Sequence, residues 1–270
     1  GYAGDPWVRT PNLDALAAAG TAMSRAYCAA PLCVPSRMSF LTGQFPHDLE
    51  IWTNAGVLAS QVPTFAHALA AADYDTVLCG RMHFVGPDQN HGFQQRLVGD
   101  VSGAMYGGTG EMFEGVWSRH GCGQTHRSLS AAAVGPGCAT YDVYDEAVTA
   151  RACDWLTARR GACLERPFCL VVGLLLPHNP YVCAPELFAE YMDRLGPGSE
   201  TGEDGSLHPA VAALKAFRGV EQITPEMARR ARAAYYGLVT TLDHNVGAIL
   251  AALEESGLRR NTVVLYTSDH

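Results

Sequence analysis

The sequence predicts an α/β fold, a sheet with helices on its faces, and three observations carry that expectation. Apolar strand-like runs alternate with stretches of helical periodicity along the chain. Gly and Pro punctuate the boundaries between them. The chain has 270 residues, 48% of them hydrophobic and 17% charged, enough to bury a large core as one big domain or two smaller ones. The first helix is capped by Thr10, opened by Pro11, striped by Leu13, Leu16 and Ala17, and stopped at Gly20. Pro35 and Ser36 open a second helix and put Cys33 just before its N-terminus. Pro63 opens a third through Phe65, Leu69 and Ala70, leading into a strand at Asp75-Thr76-Val77-Leu78-Cys79. Residues 99–136, rich in Gly, Ser and Ala, read as a long irregular insertion. A helix from Tyr141 to Arg160 precedes the apolar run Phe168 to Leu176, which ends at Pro177 and fits a strand buried on both faces. Pro225 to Ser256 is the longest helical pattern, with Leu238, Leu242, Val246, Ile249 and Leu253 as its stripe and Tyr235 and Tyr236 assigned to the core. Thr262-Val263-Val264-Leu265-Tyr266 is a last strand.

Charge and cysteine usage exclude several function classes. A formal net charge of −8, with Lys215 the sole lysine, leaves no clustered basic surface for nucleic acid. No run of about 18 apolar residues offers a membrane span. Nine cysteines, Cys28, Cys33, Cys79, Cys122, Cys138, Cys153, Cys163, Cys169 and Cys183, are odd in number and form no CxxC pair. That pattern suits a reducing, cytoplasmic setting with mostly free, buried thiols. The opening Gly1-Tyr2-Ala3-Gly4-Asp5 has no basic n-region or apolar h-region, and the chain reads as cut at both ends.

Ionisable residues follow the strands. Ligands of open α/β sheets bind beyond the carboxyl ends of strands, which nominates Arg81, His83, His178, Asp269 and His270. Cys33 is nominated by the helix N-terminus beside it, whose free N–H groups favour an anion. Each has a plainer alternative: a buried structural thiol for Cys33, backbone-satisfied imidazoles for His83 and His178, a surface ion pair for Arg81, and a solvated chain end for Asp269 and His270. His47, His67, His120, His126, His208 and His244 form no constellation and are read as surface or packing residues.

The run Cys33-Val34-Pro35-Ser36-Arg37, with Leu41-Thr42-Gly43 behind it, resembles the signature of the type I sulfatases of the alkaline phosphatase superfamily. Thr10-Pro11-Asn12-Leu13-Asp14 resembles that family's first helix, and Gly80-Arg81-Met82-His83-Phe84 its Gly-Lys-x-His segment. Pro177-His178-Asn179-Pro180-Tyr181 resembles the His-x-Pro-Tyr turn, and Thr267-Ser268-Asp269-His270 the late metal-binding segment, all in family order. The resemblance implies an alkaline-phosphatase-like mixed, mostly parallel sheet and residues 1–270 as part of a catalytic domain, with the family's acidic first strand upstream of Gly1. It implies hydrolysis of a small-molecule sulfate ester by Cys33 converted, by a formylglycine-generating enzyme, to Cα-formylglycine. In its hydrated form one hydroxyl attacks sulfur, and the other, on losing its proton, expels sulfate and restores the aldehyde. The modified Cys33, Asp269 and His270 are then ligands of one divalent metal ion, calcium first, with magnesium or manganese as alternatives. Arg37 holds the second hydroxyl, His83 and His178 hydrogen-bond sulfate or shuttle a proton, and Asn54 contacts substrate.

The chain departs from the commonest family pattern at Arg81, where lysine is usual. Arginine keeps a fixed charge but is a poor proton donor, so it is expected to bind substrate charge. Asp269-His270 in place of Asp-Asn, and the stretch from Gly80 to Phe93, resemble the choline-sulfatase and phosphonate monoester hydrolase branches. The segment that follows lacks the choline-sulfatase branch's usual acidic and aromatic stretch. Phosphonate monoester or phosphodiester hydrolysis on the same scaffold, and a non-catalytic member with an incomplete metal site, are the alternative functions. Neither nucleic acid nor membrane is an expected partner, and a homo-oligomer is compatible with the sequence.

Overall fold

Strand β1 (Asp75–Gly80) is flanked by β2 (Gln95–Val98) and β4 (Phe168–Gly173) in a parallel sheet of order β2-β1-β4. This computed structural model describes residues 1–100, 134–161, 165–195, 208–218 and 223–270. The remaining elements, in chain order, are α1 (Pro11–Ala18), α2 (Cys33–Thr42), α3 (Phe65–Ala71), β3 (Gly135–Pro136), α4 (Thr140–Thr157), β5 (Val182–Cys183), α5 (Pro185–Leu195), α6 (Pro209–Arg218) and α7 (Pro225–Glu255). The described residues divide into two compact units, one drawn from residues 1–20, 134–143 and 175–247, the other from 21–100, 144–174 and 248–270. No described helix is long and apolar enough to cross a membrane.

The second unit carries the three-stranded sheet. Successive side chains of a strand point to opposite faces, and β1 uses both. Leu78 joins Val34, Met38, Leu41, Ala66 and Phe84 in one core cluster, while Val77 joins Trp155, Leu156, Ala252 and Leu253 in another. Because all three strands are parallel, their carboxyl ends share one edge, where the chain continues into Arg81 and Asp100. Two glycines set the spacing there. Gly80 and Gly173 are register partners; a Cβ on Gly173 would stand 1.9 Å from the Arg81 carbonyl oxygen, and one on Gly80 would stand 2.3 Å from that of Gly173. Gly80 also adopts φ +97°, a conformation that suits glycine alone.

In the first unit, β3 and β5 pair in parallel and α1 lies against α7. Thr10 sits at the N-cap of α1, but its hydroxyl donates to Asp14 Oδ1 at 2.9 Å instead of capping the backbone. Buried Asp243 does the capping, accepting the Asn12 N–H at 3.1 Å on Oδ2 and the Leu13 N–H at 2.8 Å on Oδ1. A carboxylate from another helix answers both the free donors and the dipole.

Several expected elements differ in detail. Helix α3 begins one residue after Thr64, whose hydroxyl accepts the His67 N–H while His67 Nδ1 accepts the Thr64 N–H, so His67 belongs to a capping box and Pro63 lies outside. Strand β4 stops at Gly173 and is half-buried throughout, because it has one ladder partner among the described residues; Leu175 and Leu176 bury themselves in the following turn. Thr262–Tyr266 forms no strand. Its alternation is real, with Val264 packed on the core and Val263 and Leu265 outward, yet a strand is a paired state and this run pairs with no described strand. Tyr235 is 40% exposed and Tyr236 half-buried, the latter donating to Asp5 Oδ2 at 2.9 Å, which, after burial, helps push its phenol up to about 12. The seven described cysteines are all free, but only Cys79 and Cys183 are buried, so most of these thiols are not core residues. Cys122, Cys163, His120, His126 and most of the 99–136 segment lie outside the described residues.

Candidate active site

Cys33 is the first residue of α2, not the residue before it. The N-cap is Leu32, which has no polar side chain, so α2 enters with its first-turn N–H groups uncapped locally. Asn54 supplies the missing acceptor from another loop, its Oδ1 taking the Val34 N–H at 3.0 Å. Gly43 in the left-handed conformation ends the helix. One turn on from Cys33, Ser36 Oγ donates to the Asp269 carbonyl oxygen. Arg37 then grips the Asp269 carboxylate, with Nε at 3.1 Å and Nη2 at 2.9 Å from Oδ2, while Nη1 donates to the Arg81 carbonyl at 3.3 Å. Burial pushes the Arg37 guanidinium below its ordinary value and Asp269 opposes that; an arginine stays cationic throughout.

These contacts hold the segment after Thr262 against α2. Cys33 Sγ and His270 Nε2 are 3.6 Å apart, and a donor atom from each of Cys33, Asp269 and His270 lies within 4.8 Å of the others. Three ligand atoms so close suit a single cation. The set fits a divalent ion as part of its shell, with one mismatch: carboxylate and imidazole suit many metals, whereas a thiolate is soft and disfavours calcium or magnesium.

A second cluster stands at the strand ends. Arg81 follows β1 directly, His83 comes two residues later, and Asp100 follows β2 by two; all three are buried. Asp100 Oδ1 lies 3.3 Å from Arg81 Nη1, and Oδ2 accepts the His83 N–H at 2.8 Å. Arg81 Nη2 stands 2.8 Å from His83 Nδ1. Burial by itself raises the Asp100 carboxyl, but Arg81, His83 and the His83 amide outweigh it and hold the group below its ordinary range. Beside it, burial first and the Asp100 charge second lift the Tyr144 phenol well above its usual value, and that hydroxyl donates to the Gly99 carbonyl at 2.7 Å. His83 has φ +61°, a left-handed conformation that costs a non-glycine residue about 1–3 kcal/mol and recurs at functional sites.

The second unit thus brings together Cys33, Arg37, Asn54, Asp269 and His270, and joins them through the Arg37–Arg81 contact to the Arg81–His83 pair. His178 belongs to the first unit. Its Nδ1 is 2.7 Å from the Asn179 carbonyl oxygen and its ring packs edge-on to Tyr141 at 5.5 Å, between two prolines that both follow cis peptides. Asp100 is not among the residues that sequence pattern nominates, because Gly99 and Asp100 read as the start of an irregular insertion. The usable signal is an acid directly beyond the short run Gln95–Val98, which is β2.

The family model described as Sulfatase matches residues 1–270. The chain is 34% identical over 277 residues to a choline-sulfatase of Rhizobium meliloti, covering 98% of this chain and 53% of that protein. It is 30% identical over 293 residues to an arylsulfatase of Clostridium perfringens, covering 100% of this chain and 59% of that protein. Among solved structures, the phosphonate monoester hydrolase of Agrobacterium radiobacter superposes with a TM-score of 0.67 at 20% identity, covering 95% of this chain and 56% of that one. A 2-O GAG sulfatase superposes with a TM-score of 0.63 at 19% identity, covering 97% and 52%. The chain spans between half and three-fifths of the length of these curated relatives.

Proposed function

This chain belongs to the sulfatase family, and we propose that it is the part of a sulfuric ester hydrolase that carries the nucleophile, part of the metal shell and the sulfate-binding donors. The observation that carries the reading is the meeting of Cys33, at the N-terminus of α2, with Asp269 and His270 within 4.8 Å. A helix N-terminus with a cation in front of it is a site for a compact anion bearing a reactive ester. The soft sulfur of Cys33 also supports its conversion to formylglycine. Replacing the thiol by an aldehyde that hydrates gives an oxygen donor in its place, so the three residues together present oxygen and nitrogen to a hard ion, calcium before magnesium or manganese. When bound, that ion supplies Lewis-acid polarisation of a sulfate oxygen and of the attacking hydroxyl.

The chain's own residues then have distinct tasks. Arg37 fixes Asp269 and, one helical turn from Cys33, lies on the face that would hold the second hydroxyl. Arg81 and His83 offer N–H donors to sulfate oxygens. Asn54 caps α2 through Oδ1, leaving its amide nitrogen for substrate. His178, fixed by its neighbouring prolines, is the candidate to donate a proton to the departing alcohol. The curated relatives named above act on sulfate esters by their names, choline sulfate and aryl sulfates, and these are the first substrates to try.

The test uses the full-length enzyme produced alongside a formylglycine-generating enzyme. Mass spectrometry of the Cys33 peptide should show the thiol replaced by an aldehyde. Turnover of an aryl sulfate should be lost completely in Cys33→Ala with the melting temperature unchanged. A modified wild-type enzyme that ignores sulfate esters and hydrolyses an aryl phosphonate monoester would transfer the assignment to phosphonate chemistry.

A further inference from the structure

We propose that Asp100 is a positioning residue that locks His83 in one tautomer, through Arg81, so that the ring presents a proton donor to the substrate anion. The inference rests on the sulfatase reading and deepens it. Guanidinium nitrogens carry donors only. The 2.8 Å contact between Arg81 Nη2 and His83 Nδ1 therefore makes Nδ1 the acceptor, which puts the ring's proton on Nε2 and keeps the imidazole neutral. His83 in this state gives a hydrogen bond through Nε2 and has no lone pair there to take a proton.

Asp100 holds that arrangement at two points. Its Oδ1 faces Arg81 Nη1 at 3.3 Å, which sets the rotation of the guanidinium plane, and its Oδ2 accepts the His83 N–H at 2.8 Å, which sets the left-handed backbone from which the ring departs. One planar fork bridging a carboxylate and an imidazole is a geometry that arginine has and a lysine ammonium, with all its donors on one atom, lacks. It gives a physical reason for arginine at position 81. It also revises the task expected of Arg81. With the Asp100 carboxylate against it, the pair is close to electrically neutral, and what the cluster offers sulfate is directed N–H groups more than net charge.

Asp100→Asn and Asp100→Glu in the active enzyme test this, with the ring nitrogens of His83 followed by nitrogen-15 NMR and turnover by an aryl sulfate. Wild type should show Nδ1 unprotonated and Nε2 protonated from neutral pH into the mildly acidic range. In Asp100→Asn the guanidinium loses its anchor and Nδ1 loses the donor held against it. The ring should then populate both neutral tautomers, and kcat/KM should fall about 10- to 100-fold, as when an outer partner of a functional histidine is removed. Asp100→Glu should recover part of the loss. Unchanged ring spectra and unchanged kcat/KM in Asp100→Asn would overturn the proposal. If that variant fails to fold, the wild-type spectrum decides alone, since an Nδ1-protonated ring at neutral pH contradicts the lock. A wild-type enzyme with the predicted spectrum but no sulfate-ester turnover would instead overturn the sulfatase reading and leave the lock standing.

Discussion

The two halves of the site are built in opposite ways. The Arg81–His83–Asp100 cluster is buried and follows directly from strands whose register and spacing are set by backbone ladders. The Cys33–Asp269–His270 cluster is more open, with His270 37% exposed in its side chain, and its two late members sit on a segment that no ladder holds among the described residues. There, tertiary side-chain contacts replace the ladder: Ser36 to the Asp269 carbonyl and Arg37 to its carboxylate. A donor cluster that must orient small N–H groups gains from rigidity. In the proposed reading the open cluster takes its final order from the ion it binds, so fewer protein contacts are needed there.

Three substitutions probe that contrast, in decreasing order of expected effect. Gly173→Ala puts a methyl against the Arg81 carbonyl, a backbone atom that cannot rotate away. It should cost near the upper end of the about 1–3 kcal/mol typical of overpacking, read from the urea midpoint, and should weaken sulfate binding with it. An unchanged midpoint would mean that the strand ends are looser than their register suggests. Arg37→Gln removes the charge-assisted bonds to Asp269, worth about 1.5–3 kcal/mol. Since that loss falls on local order, amide hydrogen exchange over residues 266–270 should accelerate about 10- to 100-fold while β1 stays protected. Equal acceleration in β1 would erase the distinction between the two regions. Asn54→Ala leaves the Val34 N–H without its acceptor and should cost about 1 kcal/mol, the usual worth of a helix cap, again by urea unfolding. A loss several times larger would show that Asn54 supports more than α2.

Helices are the legible part of the fold. The starts of α1 and α7 can be read because a proline opens each one beside its apolar stripe. Strands are less so. Composition suggests Thr262–Tyr266 as readily as Asp75–Cys79, but only the second has partners on both sides. β2 escapes pattern reading because four residues carry too little periodicity. The candidate site divides along the same line. Cys33 with Arg37, and Arg81 with His83, are flanked by distinctive local motifs and are recognisable from them. Asp100 is not, since an acid after Gly99 has no local mark of importance.

Where α1 and α7 start, that a helix lies beside Cys33, and that ionisable side chains follow the strands are written in the local sequence, because each is decided by neighbours within one or two turns. Only the folded chain settles that Asp243 caps α1, that Asn54 caps α2, that Gly80 and Gly173 let β1 and β4 end in contact, and that Asp100 reaches Arg81 and His83. Each of those depends on bringing together residues separated by 17 to 231 positions. No local preference encodes such a meeting; it is set by strand register and by which helix face the core buries.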